Sequence, residues 1–164
     1  MSEKPREGFW RRRVLAVILQ QLRQGITPDR IALTIALGAM LSVFPILGAT
    51  TLLCAIAAVG LRLNQPVIQL VNYLVYPLQL VLLIPFYRAG ELFGAPHLAL
   101  SIPQLAARFT AGPLKFVVDF GTIALGGIAA WGVVALPCIA LMYFVLRGPL
   151  RLAAERMRKA VAAP

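Results

Sequence analysis

Six uncharged polar side chains lie close to two prolines inside long apolar stretches of this sequence. They are Ser42, Thr50 and Thr51 around Pro45, and Gln69, Asn72 and Gln79 around Pro77. Hydroxyl and carboxamide groups in such places either contact a solute or satisfy backbone groups that a proline leaves without partners. A helix that starts after Pro45 would also aim free amides at an anion near Gly48. The pattern predicts a polar site for a small or lipid-linked anionic solute, with backbone satisfaction as the alternative role.

Two charged residues, Arg88 and Glu91, lie three positions apart near the end of the second apolar stretch. One face of a helix would bring them together. They form either a simple ion pair at the membrane surface or part of a gating or proton-linked site, and we include both in the candidate solute site. His97 follows in a loop without an evident partner and is expected on the surface.

No pattern in the sequence indicates an enzyme. It has no Ser-His-Asp order, no Gly-x-Ser-x-Gly elbow, no carboxylate pair and no phosphate loop. Cys54 and Cys138 lie in apolar runs with no histidine or carboxylate at ligand spacing, which predicts buried thiols. We therefore expect no catalytic residue, no metal ion and no cofactor.

The composition indicates an integral membrane protein. Of 164 residues, 60% are hydrophobic and 13% are charged, and the mean hydropathy is +0.81. The formal net charge is +10, with seven of the sixteen cations before the first apolar run and five after the last. Positive flanks mark the cytoplasmic side and attract anionic lipids, so both termini are expected in the cytoplasm of a bacterial inner-membrane protein. The sequence shows no basic face with stacking aromatics, so we do not expect nucleic acid as a partner.

Two apolar stretches, 31–63 and 66–92, each contain an aromatic-proline pair, Phe44-Pro45 and Tyr76-Pro77. The first stretch as one helix would be about 50 Å long, beyond a hydrocarbon core of about 30 Å. Broken between Pro45 and Gly48, it gives either a re-entrant hairpin or two tilted crossings. The second stretch starts at Pro66, is expected to break at Pro77 and crosses outward, and residues 116–146 cross back.

The expected fold class is therefore all-α: one membrane domain, 1–164, with two proline-broken helical elements, one glycine-rich transmembrane helix and short interfacial amphipathic helices. Its parts are a basic interfacial N-terminal helix at 1–26, the paired broken elements at 27–93, an outer loop at 94–115, a transmembrane helix at 116–147 and a basic cytoplasmic tail at 148–164. Thr27-Pro28 and Ser101-Ile102-Pro103 are helix start signals. An amphipathic helix over 9–24 should lie on the cytoplasmic membrane surface.

Several short motifs are spaced along residues 27–91. They are Thr27-Pro28-Asp29-Arg30-Ile31-Ala32, Gly38, Phe44-Pro45-x-x-Gly48-x-x-Thr51, Leu61-Arg62-Leu63-Asn64-Gln65-Pro66, Asn72, Tyr76-Pro77-Leu78-Gln79 and Gly90-Glu91. In combination they resemble the bacterial domain of unknown function 2062 family. The resemblance implies a small integral protein of the bacterial cytoplasmic membrane without an established activity, sometimes joined to glycosyltransferase domains in larger chains.

Two classes of function are compatible with these features. The chain is either a transporter, flippase or channel-like component with a polar site between its broken elements, or a membrane scaffold for envelope-biosynthesis enzymes. The scaffold would dock its partners through Gly126 and Gly127 and the basic ends. A homo-oligomer is a further option, because a chain this small needs a second copy to enclose a pathway.

Overall fold

The computed structural model describes residues 26–97 and 102–162, which are helical and contain no strand. In chain order the helices are α1 (Pro28–Ser42), α2 (Thr50–Gly60), α3 (Gln65–Gly90), a short 3-10 helix (Glu91–Phe93), α4 (Ile102–Ala111) and α5 (Pro113–Ala162). The amphipathic helix predicted over 9–24 lies outside the described residues.

Helix starts follow the capping signals in the sequence. The Thr27 hydroxyl accepts a hydrogen bond from the Arg30 amide at 3.4 Å, with Pro28 at the first helical position, as predicted. At α3 the Asn64 side chain accepts from the Val67 amide at 3.0 Å. Pro66 therefore lies in the first turn of a new helix, where its missing N–H costs no hydrogen bond.

The first apolar stretch is a helical hairpin. Helix α1 ends at Ser42, Pro45 lies in the turn, Gly48 takes a φ of 84° and α2 begins at Thr50. An Arg30 Nη1 donates to the Arg62 carbonyl oxygen at 3.3 Å, which ties the start of α1 to the residues just after α2. With lengths of about 22 Å and 16 Å, the two helices run side by side and are each shorter than a bilayer core.

The second predicted break is wrong. Helix α3 continues without interruption through Pro77 and Pro85. Pro77 is exposed, whereas Asn72 and Gln79 are buried against the hairpin, so its ring points away from the packed side of α3. A proline removes one backbone hydrogen bond, and packing of a 26-residue helix on its neighbours keeps the rest.

Among the described residues, two helices are long and apolar enough to cross a membrane, over Gln65–Phe93 and Phe120–Arg156. The second belongs to α5, which is 50 residues long and includes the described part of the predicted cytoplasmic tail. Much of the apolar surface is exposed: Val59 is 78% exposed, Val81 68% and Leu136 75%. Side chains of this kind are the ones that lipid would cover.

Helices α3 and α5 approach closely at glycines. A Cβ added to Gly90 would lie 2.6 Å from the carbonyl carbon of Gly126, and one added to Gly127 would lie 2.6 Å from Cδ1 of Tyr87. Small residues permit this approach in a bilayer, where packing rather than water drives helix association. The contact fixes α5 against the end of α3.

The buried core joins three parts of the chain. Met40 and Val43 from α1 and its end pack with Phe86 of α3 and with Ala130 and Ala135 of α5. A smaller cluster joins α2 to the start of α3 through Cys54, Ala58 and Ile68. Cys54 is fully buried, as predicted, whereas Cys138 is half-buried.

Candidate functional site

Two side chains of α3 donate to carbonyl oxygens of the hairpin turn. The Gln79 carboxamide donates from Nε2 to the carbonyl oxygens of Phe44 at 2.9 Å and Ile46 at 3.4 Å. The Tyr87 hydroxyl donates to the Pro45 carbonyl oxygen at 2.7 Å. Gln79 therefore has the backbone-satisfying role that was the alternative to solute contact.

A third donor, Trp131 of α5, reaches the last turn of α1. Its Nε1 donates to the Met40 carbonyl oxygen at 2.9 Å, and its ring meets Phe44 edge-on at 5.0 Å. The sequence analysis missed Tyr87 and Trp131. The available signal was their position within apolar helices, because a buried tyrosine or tryptophan there needs a partner for its polar atom.

A second polar cluster forms around Thr51, in the first turn of α2. Asn72 Nδ2 donates to the Thr51 hydroxyl oxygen at 3.2 Å, and Gln69 Nε2 donates to the Thr51 carbonyl oxygen at 3.1 Å. Asn72 Nδ2 also lies 3.5 Å from Gln69 Oε1. Three of the predicted site residues are thus brought together, and two of them hold the third in place.

The first turn of α2 is open. Ala49 precedes the helix without a side-chain cap, and within the described residues the amides of Thr50, Thr51 and Leu52 have no acceptor. The Thr51 side chain is exposed, and because its oxygen accepts from Asn72, its own proton remains free to donate. Free amides, a hydroxyl donor and the positive end of a helix dipole together suit an anion.

The remaining uncharged candidates do not join this cluster. The Ser42 hydroxyl is buried and donates within its own helix to the Gly38 carbonyl oxygen. Thr50 is buried at the first position of α2, with a 4% exposed side chain. The six polar residues around the prolines are therefore divided between the turn, the Thr51 cluster and α1.

Two carboxamide oxygens are buried without a hydrogen-bond partner within the described residues. They are Asn72 Oδ1 and Gln79 Oε1, both on the face of α3 that packs against the hairpin. Leaving such an acceptor unsatisfied costs about 1–3 kcal/mol. The interface between the hairpin and α3 is therefore stabilised less than its packing alone would indicate.

The expected pairing of Arg88 with Glu91 is wrong. Glu91 Oε1 lies 2.7 Å from His97 Nδ1, so the carboxylate and the imidazole interact across the chain turn at Gly94. The left-handed φ of 82° at Gly94 folds the chain back and brings His97 to Glu91. This pair, and Arg88 with it, lies at the far end of α3 from Thr51, outside the candidate site.

An ion-pair cluster that the sequence analysis did not predict ties α1 to α5. Arg151 donates to both Asp29 oxygens, at 3.2 Å and 2.8 Å, and Arg147 Nε lies 2.9 Å from Asp29 Oδ1. The Arg151 hydrogen bonds, helped by the charges of both arginines, hold the pKa of Asp29 below its ordinary value. The cluster lies at the open end of the hairpin, beside the Arg30 to Arg62 contact.

Two clefts among the described residues lie elsewhere. One of about 390 Å³ is at the junction of α4 and α5, and one of about 300 Å³ lies between the 3-10 helix and α5. Both are at the opposite end of α5 from the Asp29 cluster. The donors at the start of α2 are therefore outside both clefts.

Comparison with curated proteins and with solved structures found no match. A family model described as an uncharacterised protein conserved in bacteria (DUF2062) matches residues 11–159, which is most of the chain. The motif around Asn64 forms a capped helix start, and the motifs around Pro45 and Gln79 form the supported hairpin turn. The chain that carries these motifs belongs to the DUF2062 family.

Proposed function

We propose that this chain is an integral protein of the bacterial cytoplasmic membrane that binds a small or lipid-linked anionic solute at the start of α2, as a transporter or flippase component. The proposal assigns no catalytic chemistry to it. The observation that carries it is the uncapped first turn of α2 beside the exposed Thr51.

The proposed topology follows from which helix ends lie together. The start of α1, the end of α2, the start of α3 and the C-terminal part of α5 share one end of the molecule, as shown by the Asp29 and Arg30 contacts. Cations collect there: Arg30, Arg62, Arg147, Arg151 and Arg156. Positive residues next to spans favour the cytoplasm, so this end and both termini are assigned to the cytoplasmic side.

The hairpin is then re-entrant. Gln79, which holds the turn, is about 21 Å along α3 from its start, near the middle of a helix of about 39 Å. The turn would lie near the bilayer midplane, and Thr51, which is level with Asn72, between the midplane and the cytoplasmic boundary. Both halves enter from one side, in agreement with their short lengths.

At that depth the open turn of α2 needs a polar partner. Hydrocarbon offers no acceptor for three free amides, so either water or an anion must cover them. Discontinuous helices that aim their N-terminal ends at anionic groups are a recurrent arrangement in transporters. Because the Thr51 side chain is exposed, a lipid-linked anion could reach it from the bilayer.

The unpaired oxygens of Asn72 and Gln79 support a hairpin that moves. Both atoms are covered in this conformation, so no ligand contacts them here. In a second packing of the hairpin against α3, both oxygens would find hydrogen-bond partners. This would lower the free-energy cost of leaving the present packing. Movement of this kind is what alternating exposure of a site requires.

The main surface on which the scaffold hypothesis relied is occupied by contacts within the chain. Gly126 and Gly127, which were expected to dock other proteins, are buried against Gly90, Ala95 and Tyr87 of the same chain. The absence of a side chain at both glycines permits the contact between α3 and α5. We therefore do not develop a scaffold role further.

Cysteine labelling tests the proposal. Thr51→Cys is made in full-length protein carrying Cys54→Ala and Cys138→Ala, with Ile56→Cys, 60% exposed on the same helix, as the matched control. Membranes are treated with an anionic and a cationic methanethiosulfonate reagent. We expect Thr51→Cys to react, faster with the anionic reagent, and Ile56→Cys to stay unmodified. Equal protection of both cysteines, or faster reaction with the cation, would contradict the proposal.

A further inference from the structure

The larger cleft brings together Arg108 of α4 and Lys115 of α5, the two cations among residues 94–115. It has a volume of about 390 Å³ and is lined by Arg108 and Ala111 of α4, by Gly112, and by Lys115, Phe116 and Phe120 of α5. Arg108 and Lys115 are seven residues apart in sequence, and both side chains are exposed. The turn at Gly112 places them around one opening.

The start of α5 adds to the positive character of this cleft. Pro113 is the first helical residue, and the Phe116 amide already donates to the Gly112 carbonyl oxygen at 2.9 Å. Among the described residues no acceptor is found for the amides of Leu114 and Lys115. The free donors and the positive dipole end of a long helix therefore lie beside the two cations.

One wall of the cleft is aromatic. The rings of Phe116 and Phe120 stack with centroids 4.4 Å apart. The apolar span of α5 begins at Phe120, so the cleft lies at the boundary where lipid headgroups meet hydrocarbon. A ligand that fits has a negative group for the cations and an apolar part for the rings.

We infer that this cleft binds the phosphate group of an anionic lipid at the outer face of the membrane. A volume of this size holds a headgroup. Arg108 and Lys115 supply the charge, the free amides supply directed donors, and the phenylalanine pair contacts the start of the acyl chains. Its assignment to the outer face rests on the proposed topology, but the cleft is separate from the proposed solute site at α2, which lies toward the other face.

Native mass spectrometry of the full chain in neutral detergent tests this inference. Phosphatidylglycerol and phosphatidylcholine are titrated against wild type, an Arg108→Gln/Lys115→Gln variant, and an Arg156→Gln/Lys159→Gln control that removes the same charge from exposed positions near the other end of α5. We expect the first variant to bind phosphatidylglycerol about 30-fold more weakly and the control to weaken binding much less, because its two cations belong to a basic flank and line no cleft. Phosphatidylcholine binding should be the same in all three proteins.

Equal weakening in both variants would show general charge attraction and overturn the inference, as would unchanged binding in the first variant. Competition with millimolar inorganic phosphate separates two sources of the same chemistry. Displacement of phosphatidylglycerol would show that the cleft recognises the phosphate group alone. Retention would show that the aromatic wall adds binding to the lipid chains. Because both substituted side chains are exposed, an unchanged melting temperature is the expected folding control.

Discussion

The Gln79 carboxamide donates to the Phe44 carbonyl oxygen at 2.9 Å and so attaches the middle of α3 to the turn of the hairpin. The residues are 35 positions apart, and Gln79 is 1% exposed. A buried carboxamide with this partner is the kind of support that a helix break needs where water is excluded. The hairpin turn is therefore held by a side chain of α3 as well as by its own backbone hydrogen bonds.

Gln79→Leu should destabilise the protein by about 1 kcal/mol, because the carbonyl oxygens of Phe44 and Ile46 lose the carboxamide donor and keep only the backbone amides of Ile46 and Ala49. The variant also removes the unpaired Oε1 of Gln79, which offsets part of the loss in stability. Thermal unfolding in detergent measures the effect. Gln69→Leu is the control, since its side chain is less buried; an equal loss there would show that Gln79 has no special role at the turn.

Tyr87→Phe removes one hydroxyl and keeps the ring. We expect a loss of about 1 kcal/mol in the free energy of unfolding, because the Pro45 carbonyl oxygen loses its donor. Tyr76→Phe is the matched control on the same helix, as Tyr76 is 47% exposed and makes no hydrogen bond among the described residues. Equal melting temperatures for the two variants would contradict the assigned hydrogen bond.

Gly90→Ala should be among the most damaging small substitutions. Its Cβ would meet the backbone of Gly126 at 2.6 Å, which forces α3 and α5 apart and costs about 1–3 kcal/mol. Gly132→Ala, with nothing within 4 Å, should be neutral or stabilising by up to about 1 kcal/mol through helix propensity. Chemical denaturation of both variants measures the contrast, and the opposite order would refute the close contact of the two helices.

Acid should weaken the contact of α1 with α5. The pKa of Asp29 is lowered by its Arg151 hydrogen bonds, so its ion pairs stabilise the fold above the ordinary pKa of 3.8 and are lost as the pH falls through the lowered value. Asp29→Asn should reduce stability near neutral pH and remove that part of the acid sensitivity. Melting temperatures of both proteins between neutral pH and about pH 3 check this; parallel curves would mean that Asp29 does not contribute.

The start of α1 and the turn after it were predictable from the sequence because capping and turn signals are local, whereas α5 extends well beyond the span predicted over 116–147. Thr27 with Pro28 marked the start of α1, and Pro45 with Gly48 marked the turn. Pro77 misled the prediction, since an isolated proline cannot reveal whether tertiary packing will keep a helix intact.

The partners of the polar side chains were less predictable. Thr51, Gln69 and Asn72 meet as a cluster, but Gln79 serves the turn, and Glu91 pairs with His97 instead of Arg88. Contacts such as Asp29 with Arg151 join residues more than a hundred positions apart, and no spacing rule in the sequence reaches that far.

Labelling from the outer side tests the re-entrant hairpin most directly. Leu47→Cys, 52% exposed at the turn, is compared with Leu92→Cys, 88% exposed in the 3-10 helix that follows α3 at its proposed outer end, in protein without its native cysteines. A membrane-impermeant maleimide is added to right-side-out vesicles. The re-entrant hairpin predicts labelling of Leu92→Cys and protection of Leu47→Cys. Equal labelling of both would place the turn at the outer surface, and the first stretch would then cross the membrane twice.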